Sequence, residues 1–265
     1  MAIDRPRSEH PVVVQGRVLS ALIIREMITR YGRSAGGYVW AIIEPAATIA
    51  LLTAVFSQIA RHPSLGTNFA IFFASGYLAF HIYKDISQAV SVAVQSNRSL
   101  LTFPRISMLD VIIARFWLQL ATSITVFAII MTALITYFGL HAPLDFVSIF
   151  RAIFYAALLG VGIGALNCVL FAFSPTYQRV FNIVNRPLFL ISGIFFIYED
   201  IPADLQAVLW WNPLIHVTAT MRQGFYPEYH AAFVSPVFIL TVALTTLMLG
   251  ILLLRLLRGK VLEGD

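Results

Sequence analysis

Tyr77, His81, Lys84, Gln88, Ser91 and Gln95 follow one another at intervals of four, three, four, three and four residues. That interval stacks side chains along one face of an α-helix. The remaining faces of the same segment carry Phe72, Phe73, Leu78, Ile82, Ile86 and Val90. A polar stripe inside an apolar helix either lines a wet pathway or forms a buried network satisfied by neighbouring helices. Lysine near a bilayer interior is costly unless it meets a partner or water. Asp85, the next residue, points to a different face and does not neutralise Lys84 across the helix. Glu44, followed by Pro45, could pair with Arg115. That structural pair suits it better than a proton relay, because no chain of further intramembrane carboxylates continues from it.

Long apolar stretches must position these groups. Six candidate spans run over 38–60, 69–94, 111–138, 146–173, 180–198 and 231–257. A bilayer core takes about 20 helical residues to cross. The composition is 59% hydrophobic and only 12% charged, so this is an integral membrane protein with little chain left for a soluble domain. The span 180–198 is the least conventional, with Asn182, Asn185, Arg186 and Pro187 in its first third. The net charge of +5 is unevenly placed. With the N-terminus in the cytoplasm, Arg5, Arg7, Arg17, Arg25, Arg30, Arg33, Arg98, Arg105, Arg115, Arg179, Arg186, Arg255, Arg258 and Lys260 fall inside. Only Arg61, Arg151 and Arg222 fall outside, and Lys84 lies within a span. Such asymmetry obeys the positive-inside rule, places both termini in the cytoplasm, and points to a bilayer rather than to nucleic acid.

The same residues argue against several kinds of chemistry. No G-x-x-x-x-G-K-[ST] loop occurs, so ATP binding by that route is not expected. Gly160, Gly162 and Gly164 superficially match a dinucleotide fingerprint but sit mid-span, where Gly160 and Gly164 instead permit close helix approach. The six histidines are dispersed, and no metal-ligand spacing is present. Neither a catalytic site nor a metal site is expected. The single cysteine, Cys168, lies inside a span and excludes a disulfide framework. The first residues carry Asp4, Arg5, Arg7, Glu9 and Arg17, without the apolar core of a cleavable leader.

Three non-spanning segments stand out. From Val12 to Tyr31, apolar residues recur near helical spacing among arginines, as in an amphipathic helix lying on the cytoplasmic membrane surface. It is either a topology anchor or a working interface helix. The loop 96–109 exposes Leu100, Leu101 and Phe103, which either dock into a soluble partner or pack on the protein's own helices. The segment 199–229 contains the short apolar piece 205–211 followed by Asn212-Pro213, which reads as outer-side helices dipping into the membrane. Trp210 and Trp211 suit the water–lipid boundary. Tyr31, Tyr38, Trp40, Tyr83, Phe103 and Trp117 gather towards cytoplasmic span ends, either as interface anchors or as platforms for sugar faces.

These motifs together resemble a family. Arg25-Glu26-Met27-x-Thr29-Arg30-Tyr31-Gly32, then Gly37-Tyr38-x-Trp40 and Glu44-Pro45, is similar to the start of ABC-2-type permeases that export polysaccharides. The likeness continues through Asn97-Arg98-Ser99-Leu100-Leu101 with Phe103-Pro104, and through Arg186-Pro187-Leu188-Phe189. It then runs through Trp211-Asn212-Pro213-Leu214-x-His216 and Arg222-x-Gly224-Phe225-Tyr226-Pro227. Within the family, the chain looks most like the transmembrane subunit of capsular polysaccharide exporters. One departure is Ala219, where the family tends to carry a glutamate three residues before the arginine.

The resemblance implies an all-α fold, a single ABC-2 type transmembrane domain over 1–265. It would have six spans, an interface helix at 12–34, a coupling helix loop at 96–109 and outer re-entrant helices at 199–230. It implies a homodimer in a Gram-negative inner membrane, driven by two copies of a separate nucleotide-binding ATPase that would hold ATP and Mg. This chain would bind no cofactor and no nucleic acid and catalyse nothing. Its cargo would be a lipid-linked acidic capsular polysaccharide, passed on to a periplasmic co-polymerase and an outer-membrane export protein. Tyr77, His81, Tyr83, Lys84, Gln88, Arg98 and Trp40 would line the route. Asn97, Arg98, Ser99, Leu100, Leu101, Phe103 and Pro104 would couple to the ATPase. Trp210, Trp211, Asn212, Pro213 and His216 would close the outer end. O-antigen or teichoic acid export is the nearest alternative, and an ion-coupled small-molecule carrier a more distant one.

Overall fold

The computed structural model describes residues 11–31, 36–103, 106–139 and 143–259, and among these no strand occurs. The helices are α1 (Pro11–Tyr31), α2 (Gly37–Ile59), α3 (Phe69–Ser91), α4 (Ala93–Ser96), α5 (Met108–Phe138) and α6 (Phe146–Phe173). They continue with α7 (Pro175–Ile191), α8 (Ala203–Leu209), α9 (Pro213–Phe225) and α10 (Pro236–Leu256). Four of them, α2, α5, α6 and α10, are long and apolar enough to cross a membrane by composition alone. The helix α3 has 23 residues, but its polar stripe dilutes its apolar character. The helix α7 has 17 residues, starting at Pro175 and ending at Ile191, so the 180–198 segment is shifted and shortened relative to the sequence reading.

The core is built around α3 and α6. Nearly all of α3 from Ala70 to Tyr83 is buried, and α6 buries Ala152, Ala156, Leu159, Ala165 and Val169. Small residues set how closely the helices cross. A Cβ on Gly160 would meet Ile86 at 2.9 Å and the Tyr83 carbonyl at 3.0 Å, and one on Gly164 would meet Val90 at 2.7 Å. Gly160 and Gly164 of α6 are therefore a packing surface for α3. On the opposite side, Gly250 of α10 faces the Leu166 amide, 2.6 Å from where its Cβ would stand.

The helix ends are specified locally. Ser107 and Asp110 form a capping box at the start of α5. Asn68, Asp145, Ser174, Asn212 and Ser235 cap α3, α6, α7, α9 and α10. Gly139 closes α5 in the left-handed conformation at φ 62°. Residues 12–31 of the expected interface helix lie in α1, while 32–34 fall outside the described residues; α1 packs along the start of α5, with Gln15 donating to Asp110.

Candidate functional site: a polar cleft and two helix-end clusters

A cavity of about 1210 Å³ opens between α1, α2, α3, α5, α6 and α7. Tyr77, Lys84, Gln88 and Ser91 of the stripe form its α3 wall. Facing them, α7 contributes Gln178, Asn182, Asn185 and Arg186, with Phe181 and Phe189 between. Gln178, Asn182 and Asn185 are spaced four and three residues apart and Arg186 lies four beyond Asn182, a helical pattern, so the polar residues that made 180–198 a poor span form the second wall of the cleft. Glu26, Thr29 and Arg115 stand at the α1 end.

A second, smaller groove of about 620 Å³ lies between α2, α3 and α5. Trp40, His81, Asp85, Gln119 and Ser123 line it. His81 Nδ1 lies 3.3 Å from Asp85, which also accepts from Gln119 at 3.2 Å. Glu44, Lys84 and Gln88 border both spaces, with Lys84 3.9 Å from Glu44. The stripe is thus divided between two spaces, and it stops at Ser91, because α3 ends there and Gln95 belongs to α4. Tyr83 is 3% exposed and packs at a tilt beside Phe80, lining neither space.

The expected Glu44–Arg115 pair does not form. Arg115 instead lies 3.2 Å from Glu26 and donates to the Ala89 carbonyl at 3.2 Å. The reason is placement: α1 runs along α5 and brings a carboxylate to Arg115 first, leaving Glu44 for Lys84. Sequence reasoning passed over Glu26, although a buried acid in an arginine-rich amphipathic helix was a signal that something opposes it.

The loop after α4 turns back on α1. Asn97 is buried, donates to Glu26 at 2.6 Å and to Ala93 O at 3.0 Å, and accepts from Arg25 at 3.0 Å. Leu101 is buried, Leu100 half-buried and Phe103 exposed. Leu100, Phe103 and Ile106 border an apolar hollow with Val18, Ala21 and Leu22 of α1. Arg98 is partly buried, Ser99 is exposed, and neither lines the cleft. Pro104 lies outside the described residues, as do Arg5, Arg7, Arg33, Arg105 and Lys260.

At the far end the geometry is closed. His216 Nε2 donates to the Trp210 carbonyl at 2.8 Å and its Nδ1 accepts from the Ser235 amide at 3.3 Å. These two partners define a neutral imidazole. Trp210 Nε1 donates to Phe233 O, and the indole packs on Phe238, 4.9 Å between centroids. Asn212 caps α9 and also donates to Ile191 O at 3.1 Å, tying the end of α7 to the start of α9. Pro213 begins α9, and Trp211 is 70% exposed. Arg222 is fully buried, donating to the carbonyls of Phe196 at 2.8 Å and Ile194 at 2.9 Å, with Phe72 4.1 Å beneath its guanidinium. Ala219 supplies no carboxylate, and main-chain carbonyls hold the arginine instead.

Among the described residues, no group of His, Cys, Asp and Glu is arranged to hold a metal ion. What the cleft presents is hydrogen-bonding groups, aromatic faces and paired charges on facing walls. The polysialic acid transport protein KpsM of Escherichia coli is 31% identical over 242 residues, covering 91% of this chain and 94% of that one. The capsule polysaccharide export inner-membrane protein CtrC of Neisseria meningitidis serogroup A is 29% identical, with 91% of each chain covered. BexB of Haemophilus influenzae, a protein of the same description, is 27% identical over 95% of each. The ABC-2 type transporter family matches residues 17–226, from within α1 through the end of α9, and the chain belongs to that family.

Proposed function

We propose that this chain is the membrane subunit of an ATP-driven exporter that moves a lipid-linked, acidic capsular polysaccharide across the inner membrane of a Gram-negative bacterium. The observation that carries the reading is the cleft itself. A hydroxyl-rich, anionic chain needs donors, aromatic faces and cations, and Tyr77, Gln88, Asn182, Phe189, Lys84 and Arg186 supply them on facing walls. Lys84 and Arg186 attract the charge, while His81 and Trp40 extend the route into the side groove.

Two copies make the pathway. The helix α7 buries no residue within one chain and α2 buries only Pro45 and Ile49, so both present faces that a second copy would cover. An ATPase subunit, in two copies, binds ATP and Mg and docks on the 97–103 segment and α1 at the cytoplasmic end, where both termini also lie. The knot around Trp210 and His216 closes the outer end, beyond which periplasmic and outer-membrane proteins continue the route. O-antigen or teichoic acid export would use the same fold, and neighbouring genes for capsule synthesis distinguish the first reading.

Phe103 is the exposed apolar residue of the docking segment, 58% accessible, so Phe103→Glu is the direct test. Pull-down from native membranes brings down an ATPase with the wild-type chain and loses it with the variant, while the variant stays membrane-inserted. Recovery of no ATPase with the wild type, or undiminished recovery with Phe103→Glu, refutes the docking scheme.

A further inference from the structure

We propose that Glu26 and Arg115 form a latch that an anionic group of the cargo opens, reporting occupancy of the cleft to the 97–103 segment. This rests on reading the cleft as the cargo site. Both residues line the cleft wall, so a ligand there reaches them directly. One oxygen of Glu26 carries two loads: Arg115 Nε lies 3.2 Å from it, and Asn97 donates to it at 2.6 Å. The first is the weaker link, because the Arg115 Nε–H makes no hydrogen bond despite its proximity. Arg115 keeps its hold on α3 through Ala89 O.

An incoming carboxylate or phosphate offers the guanidinium a two-pronged partner that Glu26 does not. Glu26 is 8% exposed, and a carboxylate so shielded does not remain without a counter-charge. When Arg115 turns to the ligand, Glu26 shifts towards the adjacent Arg25 and towards water, and Asn97, bonded to both residues, moves with it. Asn97 opens the segment leading to Leu100 and Phe103. The other cleft pair is more open: the Lys84 and Glu44 side chains are 34% and 66% exposed, and their contact joins α2 to α3. Arg115 is thus the cation whose release is transmitted. A ligand shifts such a two-state element only through its preference for one state, and here the preference is the released Arg115.

The test uses the full chain in lipid nanodiscs with Cys168→Ala, and with spin labels on cysteines replacing the exposed Ile24 of α1 and Thr102 of the loop. Pulsed electron paramagnetic resonance reads their separation. Oligosialic acid supplies a sugar carboxylate, lysophosphatidylglycerol a lipid-borne phosphate, and dextran a neutral chain. At least one anionic probe shifts the separation, dextran does not, and the probe that acts identifies the source of the anion. Glu26→Gln shows the shifted separation without any probe, and Arg115→Gln loses the response. Arg115→Lys, which keeps the charge but not the fork, needs more probe for the same shift and covers a failure of Arg115→Gln to fold. An unchanged separation with both anionic probes, or a shift that persists in Arg115→Gln, overturns the latch. The readout needs neither ATPase nor export, so loss of the ATPase partnership leaves this result standing, and its own failure leaves the exporter reading standing.

Discussion

Arg115 and Arg222 are both held away from water, and the two ends of the molecule treat them in opposite ways. Arg222, 1% exposed, is held by two main-chain carbonyls and an aromatic face. Backbone carbonyls have no alternative conformer to swing into, so that arginine is a rivet through α9, the 194–196 turn and α3. Arg115 is held by one side-chain carboxylate at the edge of a cavity and by one carbonyl. A side-chain partner rotates, and a cavity admits competitors. One end is thus fixed by backbone bonds and the other carries exchangeable side-chain pairs beside a cavity; the export route proposed above would use the first as its seal and the second as its responsive mouth.

The comparison predicts unequal sensitivities. The largest effect belongs to Arg222→Met, which leaves the Ile194 and Phe196 carbonyls without donors. At about 1–3 kcal/mol for each unmade bond, the variant fails to accumulate folded protein, read as loss of the monodisperse peak after detergent extraction. A well-folded Arg222→Met would show that the closed end is not riveted there. Next comes Gly224→Val at the same end, whose Cβ would stand 2.4 Å from Ile149 Cγ1. Overpacking of this kind costs about 1–3 kcal/mol, seen as a fall in the detergent-solubilised unfolding temperature. The smallest stability change is Lys84→Ala at the open end. Its pair with Glu44 is long and solvent-accessible, worth about 1 kcal/mol or less. The unfolding temperature stays near wild type while surface capsule falls; normal capsule in that variant removes Lys84 from the route.

Much of the framework was legible in the chain. The apolar segments 38–60, 69–94, 111–138 and 146–173 reappear as α2, α3, α5 and α6 with ends displaced by only a few residues, because length and hydropathy decide whether a helix suits a bilayer. The Gly160–Gly164 spacing correctly announced close packing, since a missing Cβ permits approach wherever the partner lies. The stripe on α3 was also legible as a face. Which space that face met was not. Helical periodicity states that Tyr77 and His81 share a side, but the crossing of α2 over α3 is what sends one to the cleft and the other to the side groove.

Pairing was the least legible property. Glu26 lies towards the end of α1 and Glu44 near the start of α2, and nothing local distinguishes which one Arg115 will choose. Composition, periodicity and caps determined that this chain is helical, membrane-embedded and equipped with a polar stripe. Those properties depend on each residue's own solvent preference and on neighbours three or four positions away. The tertiary structure alone decided that α1 lies along α5, that α7 turns its polar face to α3, and that carbonyls rather than a carboxylate receive Arg222. Each of these depends on residues 26 or more positions apart in the chain, where close packing rather than local preference selects the partner.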